Sequence, residues 1–199
     1  CYFSGCTGES TGGQEAVQLD VIHDSATFVG YERFDDSPCE NVYIHNNTFK
    51  NVYRGVGSHN AVMEKCYKNI NIYDNSFVNT INYAVYGYNW VDSKVYNNNM
   101  NNVGAGIDMR SMSAKSPSDN TADNSNVEIT NNTIKIDNNS SASTVIGIRA
   151  WTDTSGNNTV SEDIPLEKRT IKNVSIANNK ISGRTRFGIC LSDAYKCSV

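Results

Sequence analysis

No stretch of this 199-residue chain sustains the i, i+3, i+4, i+7 spacing of an amphipathic helix, and no apolar run reaches the ~18 residues of a membrane-spanning segment. Helices are therefore not expected to organise it. Basic residues are also scarce: 17 Lys and Arg against 21 Asp and Glu leave a net charge of −4, so there is no electropositive footprint for nucleic acid. Cys-x-x-Cys does not occur and the three histidines are scattered, which removes the usual ligand spacing of a zinc site. Neither metal nor cofactor is expected. No secretory leader is visible, so any targeting segment is expected to have been removed or to lie outside this sequence.

Asparagine is in excess, with 28 residues, and it recurs in a fixed order. The unit reads Asn41-Val-Tyr-Ile-His-Asn-Asn47-Thr-Phe49. It returns as Asn69-Ile-Asn-Ile-Tyr-Asp-Asn75-Ser-Phe77, Asn126-Val-Glu-Ile-Thr-Asn-Asn132-Thr-Ile134 and Asn173-Val-Ser-Ile-Ala-Asn-Asn179-Lys-Ile181. A weakened copy is Ser93-Lys-Val-Tyr-Asn-Asn98-Asn-Met100. A small residue followed by a β-branched one comes next in each copy, as Gly55-Val56, Ala84-Val85, Gly106-Ile107, Gly147-Ile148 and Gly188-Ile189. Ala16-Val17 is an upstream copy without the first half.

Alternating apolar residues in short segments rich in Val, Ile, Phe and Tyr are strand signals, and their repetition in one internal order is the signature of a solenoid. An asparagine at the same point of every repeat (47, 75, 98, 132, 179) makes sense as a buried stack whose amides bond the neighbouring repeats, because an unpartnered buried amide is costly. The small residue marks a corner where backbones need room. The pattern predicts an all-β chain, a right-handed parallel β-helix of about six rungs with three strands each, roughly 25–30 Å long. One domain covers residues 1–199, expected to be a fragment of a larger protein. Residues 1–14 read as an irregular leading segment, and polar loops over 111–125 and 153–170 are inserted on one edge.

With its Asn ladder, the chain resembles the pectate-lyase-like parallel β-helices over nearly all of residues 15–195. Asp36-Ser-Pro-Cys-Glu-Asn-Val, Tyr53-Arg-Gly-Val-Gly-Ser-His-Asn and Asn89-Trp-Val-Asp-Ser resemble β-helix regions of large surface proteins from gut Firmicutes. The resemblance implies the fold. It leaves function open, since the fold hosts lyases, hydrolases, epimerases, tailspikes and adhesins.

Six cysteines point to an oxidising, extracellular or cell-surface setting. Cys39 and Cys66 precede their strands by similar distances, so they are expected one above the other within bridging reach. Cys190 with Cys197, and Cys1 with Cys6, are further candidate pairs at the two ends.

Aligning the strands that follow the small corner residue puts alternate side chains in outward columns. The first is Gln18, Gly57, Tyr86, Asp108, Arg149 and Cys190; the second is Asp20, His59, Tyr88, Arg110, Trp151 and Ser192. Asp20, His59, Tyr86, Tyr88, Asp108, Arg110, Arg149 and Trp151 are thus the candidate ligand-binding residues. Flat aromatic rings suit sugar faces, and Arg, Asp and His suit hydroxyls or uronate carboxylates. Tyr, Trp and Arg are also favoured anchors for a protein partner, while cross-strand pairs of this kind can serve the sheet alone. The expected role is binding of a polysaccharide or of a host glycoprotein, an immunoglobulin included.

The alternative is a polysaccharide lyase or epimerase acting on uronates. Arg110 or Arg149 would then neutralise the carboxylate, with His59 or Tyr88 as base and Tyr86 as acid. Against it, no three acidic residues meet on adjacent rungs of these columns, and Asp20 and Asp108 stand roughly 14 Å apart, too far to form a hydrolase pair.

Overall fold

A computed structural model describes residues 1–7, 15–21, 37, 39–58, 67–112, 126–137, 145–153, 164–165 and 170–199. The strands come rung by rung. Rung one supplies β1 (Tyr2–Ser4) and β2 (Glu15–Gln18); rung two supplies β3 (Glu40–His45), β4 (Thr48–Lys50) and β5 (Arg54–Gly57). Rung three gives β6 (Tyr67–Tyr73), β7 (Ser76–Val78) and β8 (Tyr83–Tyr88). Rung four gives β9 (Trp90–Val91), β10 (Lys94–Tyr96), β11 (Asn99–Val103) and β12 (Ala105–Met112). Rung five gives β13 (Val127–Thr130), β14 (Thr133–Ile136) and β15 (Ile146–Asp153). Rung six gives β16 (Ile171–Lys172), β17 (Val174–Ala177), β18 (Lys180–Gly183) and β19 (Phe187–Ser192), and β20 (Ala194–Tyr195) follows.

Each strand hydrogen-bonds to its counterpart one rung away, always in parallel. Sheet I is β3-β6-β10-β13-β17, sheet II is β1-β4-β7-β11-β14-β18 and sheet III is β2-β5-β8-β12-β15-β19. The molecule is therefore a parallel β-helix of six rungs. In sheet III the register is Val17, Val56, Val85, Ile107, Ile148 and Ile189, the alignment that the corner residues predict.

The asparagine stack runs between sheets I and II. In each rung the backbone N–H and the side-chain Nδ2 of the ladder residue both donate to Oδ1 of the next: Asn47 to Asn75, Asn75 to Asn98, Asn98 to Asn132 and Asn132 to Asn179, at 2.9–3.1 Å. Nδ2 of Asn98 also reaches the carbonyls of Ile72 and Tyr96. Every polar atom of the buried amide is satisfied, so its desolvation is compensated within the stack.

The ladder uses only part of the asparagine. Twelve of the sixteen described non-glycine residues with positive φ are Asn and three are Asp. They form columns at the rung corners, among them Asn41, Asn69, Asp92, Asn126 and Asn173, where β-branched and bulky side chains are disfavoured. Their amides bond from rung to rung as well, as Asn69 to Asn41 at 2.8 Å and Asn102 to Asn79 at 2.9 Å.

The core is a set of like-on-like columns. Phe3, Phe49 and Phe77 stack with centroids 4.8 and 4.7 Å apart, the strand spacing itself, and Met100, Ile134 and Ile181 continue the column. The small corner column is required by this closeness: a Cβ on Gly55 would lie 2.4 Å from the Phe77 ring and from the Ala84 carbonyl oxygen. On the outside of sheet I, His45, Tyr73 and Tyr96 form an exterior aromatic stack.

Three expectations need correction. Tyr2–Ser4, read as irregular, is a strand on β4, because Phe3 extends the phenylalanine column. Strand β12 runs on through Ser111 and Met112, and β15 takes in Asp153, so both loops begin later than their composition suggests. Cys1, Cys6, Cys39, Cys190 and Cys197 are free thiols. Neither end is bridged, and Cys39 is not in the expected disulfide; its Sγ lies 3.7 Å from the Asp20 carbonyl oxygen, while Cys66 lies outside the described residues.

Candidate functional site

The outer face of sheet III gathers six of the eight candidates. Strand pairing places Tyr86, Asp108 and Arg149 side by side on consecutive rungs, and Tyr88, Arg110 and Trp151 beside them. Asp20 stands on the first rung, where its carboxylate accepts a hydrogen bond from Gln18 Nε2. His59 lies outside the described residues, so its place on this face is not described.

Asp108 is the centre of the cluster, and its side chain is fully buried although its column points away from the core. Arg149 donates Nε to Oδ1 at 2.9 Å and Nη2 to Oδ2 at 2.7 Å, a bidentate pair. Trp151 Nε1 adds a third hydrogen bond to Oδ1 at 2.9 Å, and Arg110 Nε stands 3.6 Å from Oδ2. The long neighbours lie over the short Asp108 and exclude water from it. Burial works to lower the Arg149 pKa, but the hydrogen bonds it donates to Asp108, with the charge of that carboxylate, outweigh burial and raise it.

Arg110 joins this cluster to a second carboxylate. Its Nη1 is 3.3 Å from Asp153 Oδ2, which also accepts the Tyr88 hydroxyl at 3.1 Å. Guanidinium groups and rings alternate along the axis: Arg54 lies 4.8 Å from the Tyr86 centroid, Arg110 4.6 Å from Tyr86 and 4.7 Å from Trp151, and Arg149 4.3 Å from Trp151. These are cation–π distances. Arg54 is itself paired with Glu15 at 2.9 Å, and Arg149 Nη2 touches the Tyr83 hydroxyl at 3.4 Å.

The phenols are poor acids and bases here. Burial pushes Tyr86 up to about 12, with Arg110 pulling the other way. Burial first, and then the charge of Asp153, raise Tyr88 as well. Among the described residues, no group of three His, Cys, Asp or Glu is placed to hold a metal ion.

Glu15, Arg54, Tyr83 and Asp153 belong to the cluster and are absent from the sequence-based columns. Asp153 needed only one more step of the alternation that gives Arg149 and Trp151. Glu15, Arg54 and Tyr83 sit just before the small corner residue; that residue packs inward, leaving its predecessor outside. No family model, curated protein or solved structure gives a significant match to the chain.

Proposed function

We propose that this chain is the binding region of an extracellular bacterial surface protein, and that it holds a glycan on the outer face of sheet III. The ligand is a polysaccharide or the carbohydrate of a host glycoprotein such as an immunoglobulin. The observation that carries the reading is the row of guanidinium groups and aromatic rings from Arg54 to Arg149, whose members Arg110 and Arg149 stay partly exposed. Rings held by cation–π contacts lose little freedom on binding, and the fixed N–H groups of arginine suit hydroxyl oxygens. The surface setting rests on the resemblance to Firmicutes β-helix regions and to the pectate-lyase-like fold. Five free thiols lend it no support.

Binding is favoured over lyase or epimerase chemistry by what the polar groups already do. Arg110 and Arg149, the candidates for neutralising a uronate, are paired electrostatically with Asp108, and Tyr86 and Tyr88 have pKa values raised away from neutrality. A glycan array beside an immunoglobulin pull-down tests the reading. Trp151→Ala and Tyr88→Ala are expected to weaken the ligand found by about 1 kcal/mol or more each. Turnover of uronate polymers, seen as an unsaturated product or as C5 hydrogen exchange and abolished by His59→Ala, would overturn it.

A further inference from the structure

We infer that the glycan taken up on this face is neutral, carrying no carboxylate, sulfate or phosphate. The inference rests on the reading of this face as a glycan site and assigns its ligand class.

The argument is one of charge. The described cluster holds three cations, Arg54, Arg110 and Arg149, and three anions, Glu15, Asp108 and Asp153. Each cation is already in contact with an anion: Arg54 with Glu15, Arg149 with Asp108, and Arg110 with both Asp108 and Asp153. The anions are the deeper partners, with side chains 0% exposed at Glu15 and Asp108 and 7% at Asp153, against 15–20% for the arginines. An acidic sugar would have to compete with these enclosed carboxylates for the guanidinium groups, loosening ion pairs whose anions are shut off from water. Weakening a pair whose anion is desolvated is unfavourable.

A neutral pyranose meets no such obstacle. The Arg110 and Asp153 groups, 3.3 Å apart, set N–H donors beside a carboxylate acceptor. Two adjacent hydroxyls can accept from the one and donate to the other without disturbing their contact. The partly exposed Tyr88 and Trp151 flank that pair and supply apolar surface for the sugar ring.

The test is calorimetric titration of the whole chain with matched ligands. One series sets neutral galactan, glucan and mannan beside polymers bearing carboxylate or sulfate. The other compares a single homogalacturonan in its fully methyl-esterified and de-esterified forms. The neutral members are expected to bind about tenfold tighter or more, with less than about a twofold change between low and high salt. Asp153→Asn frees Arg110 of one partner and is expected to narrow the discrimination against acidic polymers by about tenfold. If that variant fails to fold, the esterified pair decides with the unaltered protein. Preference for the acidic members, with affinity falling steeply in salt, would overturn the neutral-ligand inference and leave a binding face. Binding to neither series would overturn both.

Discussion

Arg149 and Asp108, on adjacent rungs, face each other through two hydrogen bonds of 2.9 and 2.7 Å on the outer surface of sheet III, with the aspartate side chain fully enclosed. Such a pair is worth little relative to two apolar residues and a great deal relative to one partner left alone. Asp108→Asn is expected to cost about 3–5 kcal/mol in urea denaturation. Asp108→Leu combined with Arg149→Met is expected to cost less than either single change. Equal or additive losses would count against a coupled pair.

Asn98→Leu removes an amide that donates to Ile72, Tyr96 and Asn132 and accepts from Asn75. The partners are buried and cannot turn to water. Destabilisation of about 1–3 kcal/mol is expected, with hydrogen exchange rising first in rungs three to five. An unchanged exchange pattern there would deny the ladder its energetic role.

Two corner glycines offer an internal contrast. A Cβ on Gly106 would stand 2.2 Å from the Gly147 carbonyl oxygen, whereas one on Gly188 has nothing within 4 Å. Ala84 shows that a methyl group can be accommodated elsewhere in this column. Gly106→Ala is expected to cost about 1–3 kcal/mol by overpacking, and Gly188→Ala to stay within about 0.5 kcal/mol of the parent. Thermal melts of the two variants decide the matter.

Alkaline stability follows from the tyrosines. Tyr67, Tyr86 and Tyr88 all have pKa values raised above the ordinary 10.0, chiefly by burial. Above pH ~10 the unfolded chain loses phenolic protons that the folded chain keeps, so stability is full below pH ~10 and falls as pH rises towards the folded values. For Tyr86 that window closes near about 12. Urea midpoints from pH 8 to 12, read with phenolate absorbance, should show the decline, and Tyr86→Phe should reduce it.

The repeat was legible because asparagine and the small corner residue fix two points of every rung. Between them the period of two leaves no freedom, and the columns of Tyr86, Asp108 and Arg149 follow. Depth was not legible. Alternation says that Asp108 points outward, but its enclosure depends on how the longer Arg110, Arg149 and Trp151 fold over it. The partners from just before the corner escaped because a two-residue period does not survive a bend. The left-handed corners also escaped, since Asn41 and Asn47 look alike in sequence and differ only in φ and burial.

The ladder also constrains how such a chain can vary. Successive ladder asparagines are 28, 23, 34 and 47 positions apart, yet the hydrogen bonds joining them are the same to within about 0.2 Å. The variation is absorbed in strand lengths and in the segments between strands, and none reaches the stack. Because the ladder Oδ1 accepts from the rung before it, while Nδ2 of Asn75, Asn98 and Asn132 reaches forward to the next Oδ1 and back to a backbone carbonyl of the preceding rung, a new copy fits only in the same orientation as the others. Insertions and deletions are thus expected to survive as whole turns or as loop changes, and to be selected against next to the ladder residue itself.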